Sequence, residues 1–165
     1  MPNKIYTAEE SAILFQSTGG QAVFTCTSLL TVSGRVSAQY DRGAGSKARW
    51  YRWRAQCKYA TAAALGTVTE IYVACGYLDG TIVDGGVGQS DAGLATADKR
   101  RNLWHLGNIV TDKSADATET FRSSGYVFIP ARFFSVVFYN ATAVSFSATA
   151  TDHGIGFEPI PPEIQ

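Results

Sequence analysis

A chain of 165 residues, 45% of them apolar and with 14 basic against 14 acidic side chains, has room for one well-buried core and lacks the basic excess of a general nucleic-acid binder. Charged residues make up 17% of it, below the roughly 25% of an average soluble protein, so the surface gains little from self-repulsion and suits a protein whose faces are covered by partners. No run approaches the ~20 apolar residues of a membrane helix, and Met1-Pro2-Asn3-Lys4-Ile5-Tyr6 has no apolar core of a secretion leader, so no membrane contact is expected and synthesis is placed in the cytoplasm.

Residues 1–20 read as an N-terminal arm. Thr7 and Glu10 have capping-box spacing, which predicts a helical turn or two over Ala12 to Phe15, broken by Gly19-Gly20. From Gln21 the period becomes two. Phe24 and Cys26 share one side of a strand. In the next, Val32, Val36, Ala38 and Tyr40 are expected inward, with Ser33, Arg35, Ser37 and Gln39 outward. Asp41 to Lys47 reads as a flexible polar loop.

The clearest strand follows. Tyr51, Trp53, Ala55, Cys57 and Tyr59 lie on one face of it, and Arg52, Arg54, Gln56 and Lys58 on the other. Thr67 to Tyr77 is a further strand, and Leu78-Asp79-Gly80-Thr81 a turn. Asp84 to Gly93 is a glycine-rich loop, Ala95 to Arg101 a helical turn, and Leu103 to Val110 a strand. Thr111 to Thr120 reads as loop, Tyr126 to Ile129 as a strand ended by Pro130, and Phe133 to Tyr139 as a strand buried on both faces. Val144 to Ala150 and His153 to Phe157 complete the set, and residues 159–165 read as an extended, proline-rich tail. Eight or nine strands with little helix predict an all-β fold, a sandwich, jelly roll or closed barrel, with an antiparallel β-sandwich of jelly-roll type foremost, spanning 21–158 between arm and tail.

Sequence motifs for catalysis are absent: there is no P-loop, GxGxxG, HExxH or GxSxG. Three cysteines without CxxC spacing and two histidines do not make a zinc site, and they read as buried thiols in a reducing compartment. Asp152-His153 reads as a turn pair rather than a hydrolase dyad, because adjacent strand residues point to opposite faces. His105 reads as a hydrogen-bonded structural histidine. Asp79, Asp84 and Asp91 could hold calcium only outside any EF-hand spacing. Glu70 is the strand glutamate available to a glycosidase, and it has no evident partner. Trp50, Tyr77 and Trp104 are candidates for a sugar-binding platform. No enzyme, catalytic residue, cofactor or metal is therefore expected. The cationic side of the strand at residues 49–58 is the candidate interface, with Arg52, Arg54 and Lys58 meeting an acidic patch on a neighbour.

Several short segments carry a resemblance. Arg52-Trp53-Arg54, Glu70-Ile71-Tyr72, Asp79-Gly80-Thr81, Ile129-Pro130-Ala131-Arg132-Phe133, Ala148-Thr149-Ala150-Thr151-Asp152-His153 and Pro159-Ile160-Pro161-Pro162 resemble virion structural proteins of tailed bacteriophages. The resemblance runs from about residue 50 to the C-terminus. It implies a bacteriophage virion component, foremost a capsid decoration (cement) protein bound to the major capsid protein, with a tail, collar or fibre-attachment protein as the alternative. The charge-poor, aromatic-rich surface with zero net charge predicts a homo-oligomer, and the resemblance puts a trimer ahead of a dimer. A carbohydrate-binding β-sandwich module is the reading from a different class.

Overall fold

The computed structural model describes residues 10–45, 47–78, 82–84, 87, 90–113 and 119–160. In chain order the strands are β1 (Ile13–Gln16), β2 (Ala22–Val23), β3 (Ser33–Val36), β4 (Tyr40–Asp41), β5 (Trp50–Lys58) and β6 (Val68–Leu78). They continue with β7 (Ile82–Val83), β8 (Ala92–Gly93), β9 (Trp104–Val110), β10 (Thr120–Phe128), β11 (Phe133–Asn140) and β12 (Gly154–Ile160). Two sheets form. One runs β10-β5-β12-β1-β2; the other runs β7-β6-β11-β3-β8, with β4 on β11 and β9 on β6. All pairs are antiparallel except β1 with β2. The fold is an all-β sandwich.

The alternation of β5 fixes the first sheet. Tyr51, Trp53, Ala55 and Cys57 are buried, while Trp50 and Arg54 are exposed and Arg52, Gln56 and Lys58 half-buried. In the opposite sheet β11 is buried along its whole length, as expected for a continuous apolar run flanked by strands on both edges. The sheets meet through Phe15 of β1, Phe157 of β12 and Phe134 of β11, whose ring centroids lie 5.2–5.8 Å apart in edge-to-face pairs.

Trp53 closes one side of the sandwich. It pairs in register with Gly125 of β10. A Cβ at Gly125 would lie 3.0 Å from the indole, and a Cβ at Gly107 of β9 would lie 3.2 Å from it. Two glycines on two strands therefore make the seat of one tryptophan.

Several expectations are corrected. Ala12 to Phe15 is not helical: Ile13 to Gln16 is strand β1, with Ile13 and Phe15 in the core. Their alternation continues the sheet, so the domain begins before residue 20. Residues 1–9 lie outside the described residues. Val32 is 69% exposed rather than inward. Positive φ at Ser28 and at Val32 itself turns the chain there and resets the alternation. Ser37, expected outward, is buried and accepts a hydrogen bond from the Val136 N–H at 2.9 Å. Strand β10 starts six residues earlier than the apolar signal, at Thr120. Its inward positions Ser123 and Gly125 are small because Trp53 covers that ground, so no apolar alternation marks them. Val144 to Ala150 is irregular, with a single bridge from Phe146 to Tyr59. Pro159 and Ile160 belong to β12, not to a tail; they pair with Tyr51 and Trp50 of β5, beyond the end of the register with β1 at Phe157.

Replacing the large buried side chain should dominate stability. Trp53→Ala is expected to cost about 3–5 kcal/mol of unfolding free energy. Gly125→Val, which drives two methyl groups toward the same indole, should cost about 1–3 kcal/mol. Urea unfolding followed by circular dichroism measures both, and an unchanged midpoint for either would contradict the seat described.

Candidate functional site: the outer face of the five-stranded sheet

The register places the outward side chains in rows across β10, β5, β12 and β1. Phe128, Trp50 and Ile160 make one row, and Tyr126, Arg52 and Glu158 the next. Ser124, Arg54, Gly156 and Leu14 follow, and then Arg122, Gln56 and Gly154. The first row is apolar. Trp50 is 53% exposed, and its ring lies 5.4 Å from that of Phe128. Tyr126 beside it is 69% exposed.

The three expected interface cations have different fates. Arg52 pairs with Glu158 at 3.8 Å, and Lys58 approaches Asp152 at 4.0 Å. Arg54 has no ion pair among the described residues. Arg122 has none either, and the register sets it diagonally beside Arg54. Diagonal neighbours on paired strands lie roughly 7–8 Å apart, close enough for like charges to oppose each other. Between these rows lies a depression of about 730 Å³, whose walls include Leu14, Gln16, Arg54, Gln56 and Arg122 and whose floor includes Gly154 and Gly156. Gln16 and Gln56 both donate to the Thr151 carbonyl, at 3.4 and 3.1 Å, and so hold one wall still. Sequence reasoning did not find Arg122, because its half of β10 carries no apolar alternation.

The other candidates resolve into structural roles. His153 is buried and stacked on Phe146, with ring centroids 4.9 Å apart. Its Nδ1 accepts from the Lys58 N–H at 3.5 Å, and its Nε2–H donates to the Ser147 carbonyl at 3.1 Å. Both ring nitrogens are thus committed to backbone. Ser147 Oγ lies 3.4 Å from His153 Nε2, on which the ring proton sits, and donates its own hydroxyl proton to Asp152 at 2.5 Å. Ser147, Asp152 and His153 thus form one hydrogen-bonded cluster.

Glu70 accepts from the Tyr72 hydroxyl at 2.6 Å and pairs with Arg100 at 3.0 Å. The other strand glutamate, Glu158, faces Arg52. Asp91 forms a bidentate pair with Arg35, both contacts 2.8 Å, and accepts from the Thr25 N–H. Burial acts to raise its pKa, but the hydrogen bonds from Arg35 and Thr25 outweigh this and hold the carboxyl below its usual range. Asp84 accepts from the Cys75 N–H at 3.0 Å, and Asp79 lies outside the described residues. No group of three or more His, Cys, Asp or Glu side chains among the described residues could hold a metal ion.

The three cysteines are free and buried. Burial pushes the thiols of Cys57 and Cys75 up to about 12. His105, exposed, bonds to Asn108 Oδ1 at 2.9 Å. Trp104 is 39% exposed on β9, in the sheet opposite Trp50, so the two do not share a strand face. The Tyr77 side chain lies outside the described residues.

Arg42 is the largest departure from the sequence reading. Placed there in a flexible loop, it is 5% exposed. It pairs with Glu10 at 3.1 Å and donates to the carbonyls of Ala48, Ile129 and Ala131. Glu10 also accepts from the Tyr51 hydroxyl at 2.6 Å and from the Ala48 N–H at 3.2 Å. Nothing in the local pattern marks this residue, since apart from Ala48 its partners Glu10, Ile129 and Ala131 are 32 to 89 positions away.

No protein-family model matches the chain, and no curated protein matches it. No helix among the described residues is long and apolar enough to cross a membrane.

The buried imidazole makes stability depend on pH. Burial lowers the His153 pKa below its ordinary value, against opposing effects from the bond to Ser147 and the charge of Asp152. The unfolded chain therefore takes up the proton first as pH falls. The stabilisation from neutral His153 is present above about pH 6.5 and is lost as pH drops toward the folded-state value. His153→Gln should flatten the stability profile between about pH 7 and pH 5, measured by urea unfolding at each pH. Parallel profiles for the two proteins would contradict this.

Proposed function

We propose that this protein is a non-enzymatic structural module of a bacteriophage virion, a capsid decoration protein that binds the assembled shell through the outer face of its five-stranded sheet. The observation that carries the reading is the pair Arg54 and Arg122, without acidic partners among the described residues, on a strand-built face that also bears exposed Trp50 and Tyr126. Arginine and aromatic side chains are the types enriched where protein interfaces are well packed. A decoration protein needs no active site: binding the assembled state and not its dissociated parts stabilises the shell by mass action. The resemblance of the chain from residue 50 onward to virion structural proteins supports the same assignment, and so does the charge-poor surface. Copies grouped as trimers fit shell proteins clustered around local threefold points.

Attachment to purified shells of the encoding phage tests the reading. Arg54→Ala should weaken attachment by about 2–5 kcal/mol if the guanidinium is desolvated against a carboxylate, a loss of about thirtyfold or more. It should also make attachment less sensitive to salt. Arg52→Ala should do less, because Glu158 already answers Arg52. Occupancy against ionic strength measures both. Failure of the wild-type protein to attach to any shell would remove the decoration reading.

A further inference from the structure

We infer that the depression between β10, β5, β12 and β1 takes an extended acidic peptide segment of a partner protein, with one or two carboxylates against Arg54 and Arg122 and an aliphatic side chain over Gly156 beside Leu14. The inference rests on the reading of this protein as a binding module and names the chemistry of its partner.

The glycine floor gives the first argument. Gly154 is explained by packing, since a Cβ there would come 3.0 Å from the Phe15 carbonyl oxygen. Gly156 is not. Its backbone is not left-handed, and a Cβ would meet nothing nearer than Leu14 Cδ1 at 3.9 Å. A glycine in mid-strand weakens the strand, and β-branched residues suit such a position better. The fold does not require Gly156; an open floor does.

Charge gives the second argument. Arg54 and Arg122 are diagonal neighbours with no acid of this chain between them among the described residues. A carboxylate seated between them relieves their repulsion and can accept from both planar forks. The ends of the depression decide the kind of anion. Glu158 stands beyond one side, paired with Arg52, and Asp152 beyond the other, paired with Lys58. Those pairs are close to neutral, so the uncompensated charge beside the depression is that of Arg54 and Arg122, and the favoured site is local: one or two carboxylates rather than a continuous polyanion. Leu14 at the opposite wall supplies the apolar contact that a peptide side chain uses.

The test uses the full-length protein and capped octapeptides carrying one or two Asp or Glu beside Leu or Val, each matched to its Asn or Gln analogue. Fluorescence anisotropy should give acidic peptides about tenfold or more tighter than their amide analogues. Arg54→Gln and Arg122→Gln should each remove most of that preference. Gly156→Thr should abolish binding while its melting temperature equals or exceeds that of the wild type. The arginine variants, on exposed positions, carry the test should Gly156→Thr fail to fold.

Equal binding of acidic and amide peptides, or normal binding by all three variants, overturns the inference. So does tighter binding of a heparin oligosaccharide or an oligothymidylate. Self-association that Gly156→Thr abolishes would make the occupant a second copy and also overturn it. Peptide binding without attachment to shells leaves the groove and removes the virion reading. Attachment untouched by the three variants, with no peptide binding, removes the groove and this binding face while leaving the protein a virion component.

Discussion

The indole of Trp53, held between Gly125 of β10 and Gly107 of β9, is the contact on which both the core and the outer face depend. It belongs to the central run of β5 and reaches strands of both sheets. Because Gly125 stands opposite Trp53, the register of β10 is fixed, and a slip by one residue would turn every side chain of that strand over. The same register sets Ser124 opposite Arg54 and Arg122 opposite Gln56. A packing decision inside the sandwich thereby decides which charges stand together outside it.

Arginine has two opposite uses here. Arg42 is buried, and its guanidinium is answered by Glu10 and three backbone carbonyls, so its desolvation is offset by close, directed bonds. It ties the segment before β1 to the chain just before β5 and just after β10, and so anchors one end of the five-stranded sheet. Arg54 and Arg122 stand in solvent with no such answer among the described residues. A chain with no net charge that leaves two cations adjacent on one face, while pairing many of the rest, concentrates its electrostatic interest at that face.

Much of this architecture was legible in the sequence. The period-two pattern of β5 and the unbroken apolar run of β11 reveal a two-layer β fold, because burial on one or both faces writes itself directly into such patterns. The pattern failed where a different interaction took over. Val32 reads as inward but sits at positive φ in a turn. Ser123 and Gly125 give no strand signal because Trp53 supplies the apolar surface they lack. Arg42 reads as loop because Glu10, Ile129 and Ala131, three of its four partners, lie far along the chain. That Arg52, Arg54 and Lys58 share the outward side of β5 could be read from alternation alone. That Glu158 and Asp152 answer two of them, and that Arg122 joins the third, depends on strand order, which the sequence does not display.

If the outer face of the five-stranded sheet is the working surface of the protein, as proposed, a cryo-EM map of the proposed virion at side-chain resolution tests it most directly. The account predicts Arg54 and Arg122 against carboxylates of a neighbouring subunit, with an aliphatic side chain seated over Gly156. A map in which that face looks into solvent, and the neighbour instead packs on the seven-stranded sheet, would contradict it.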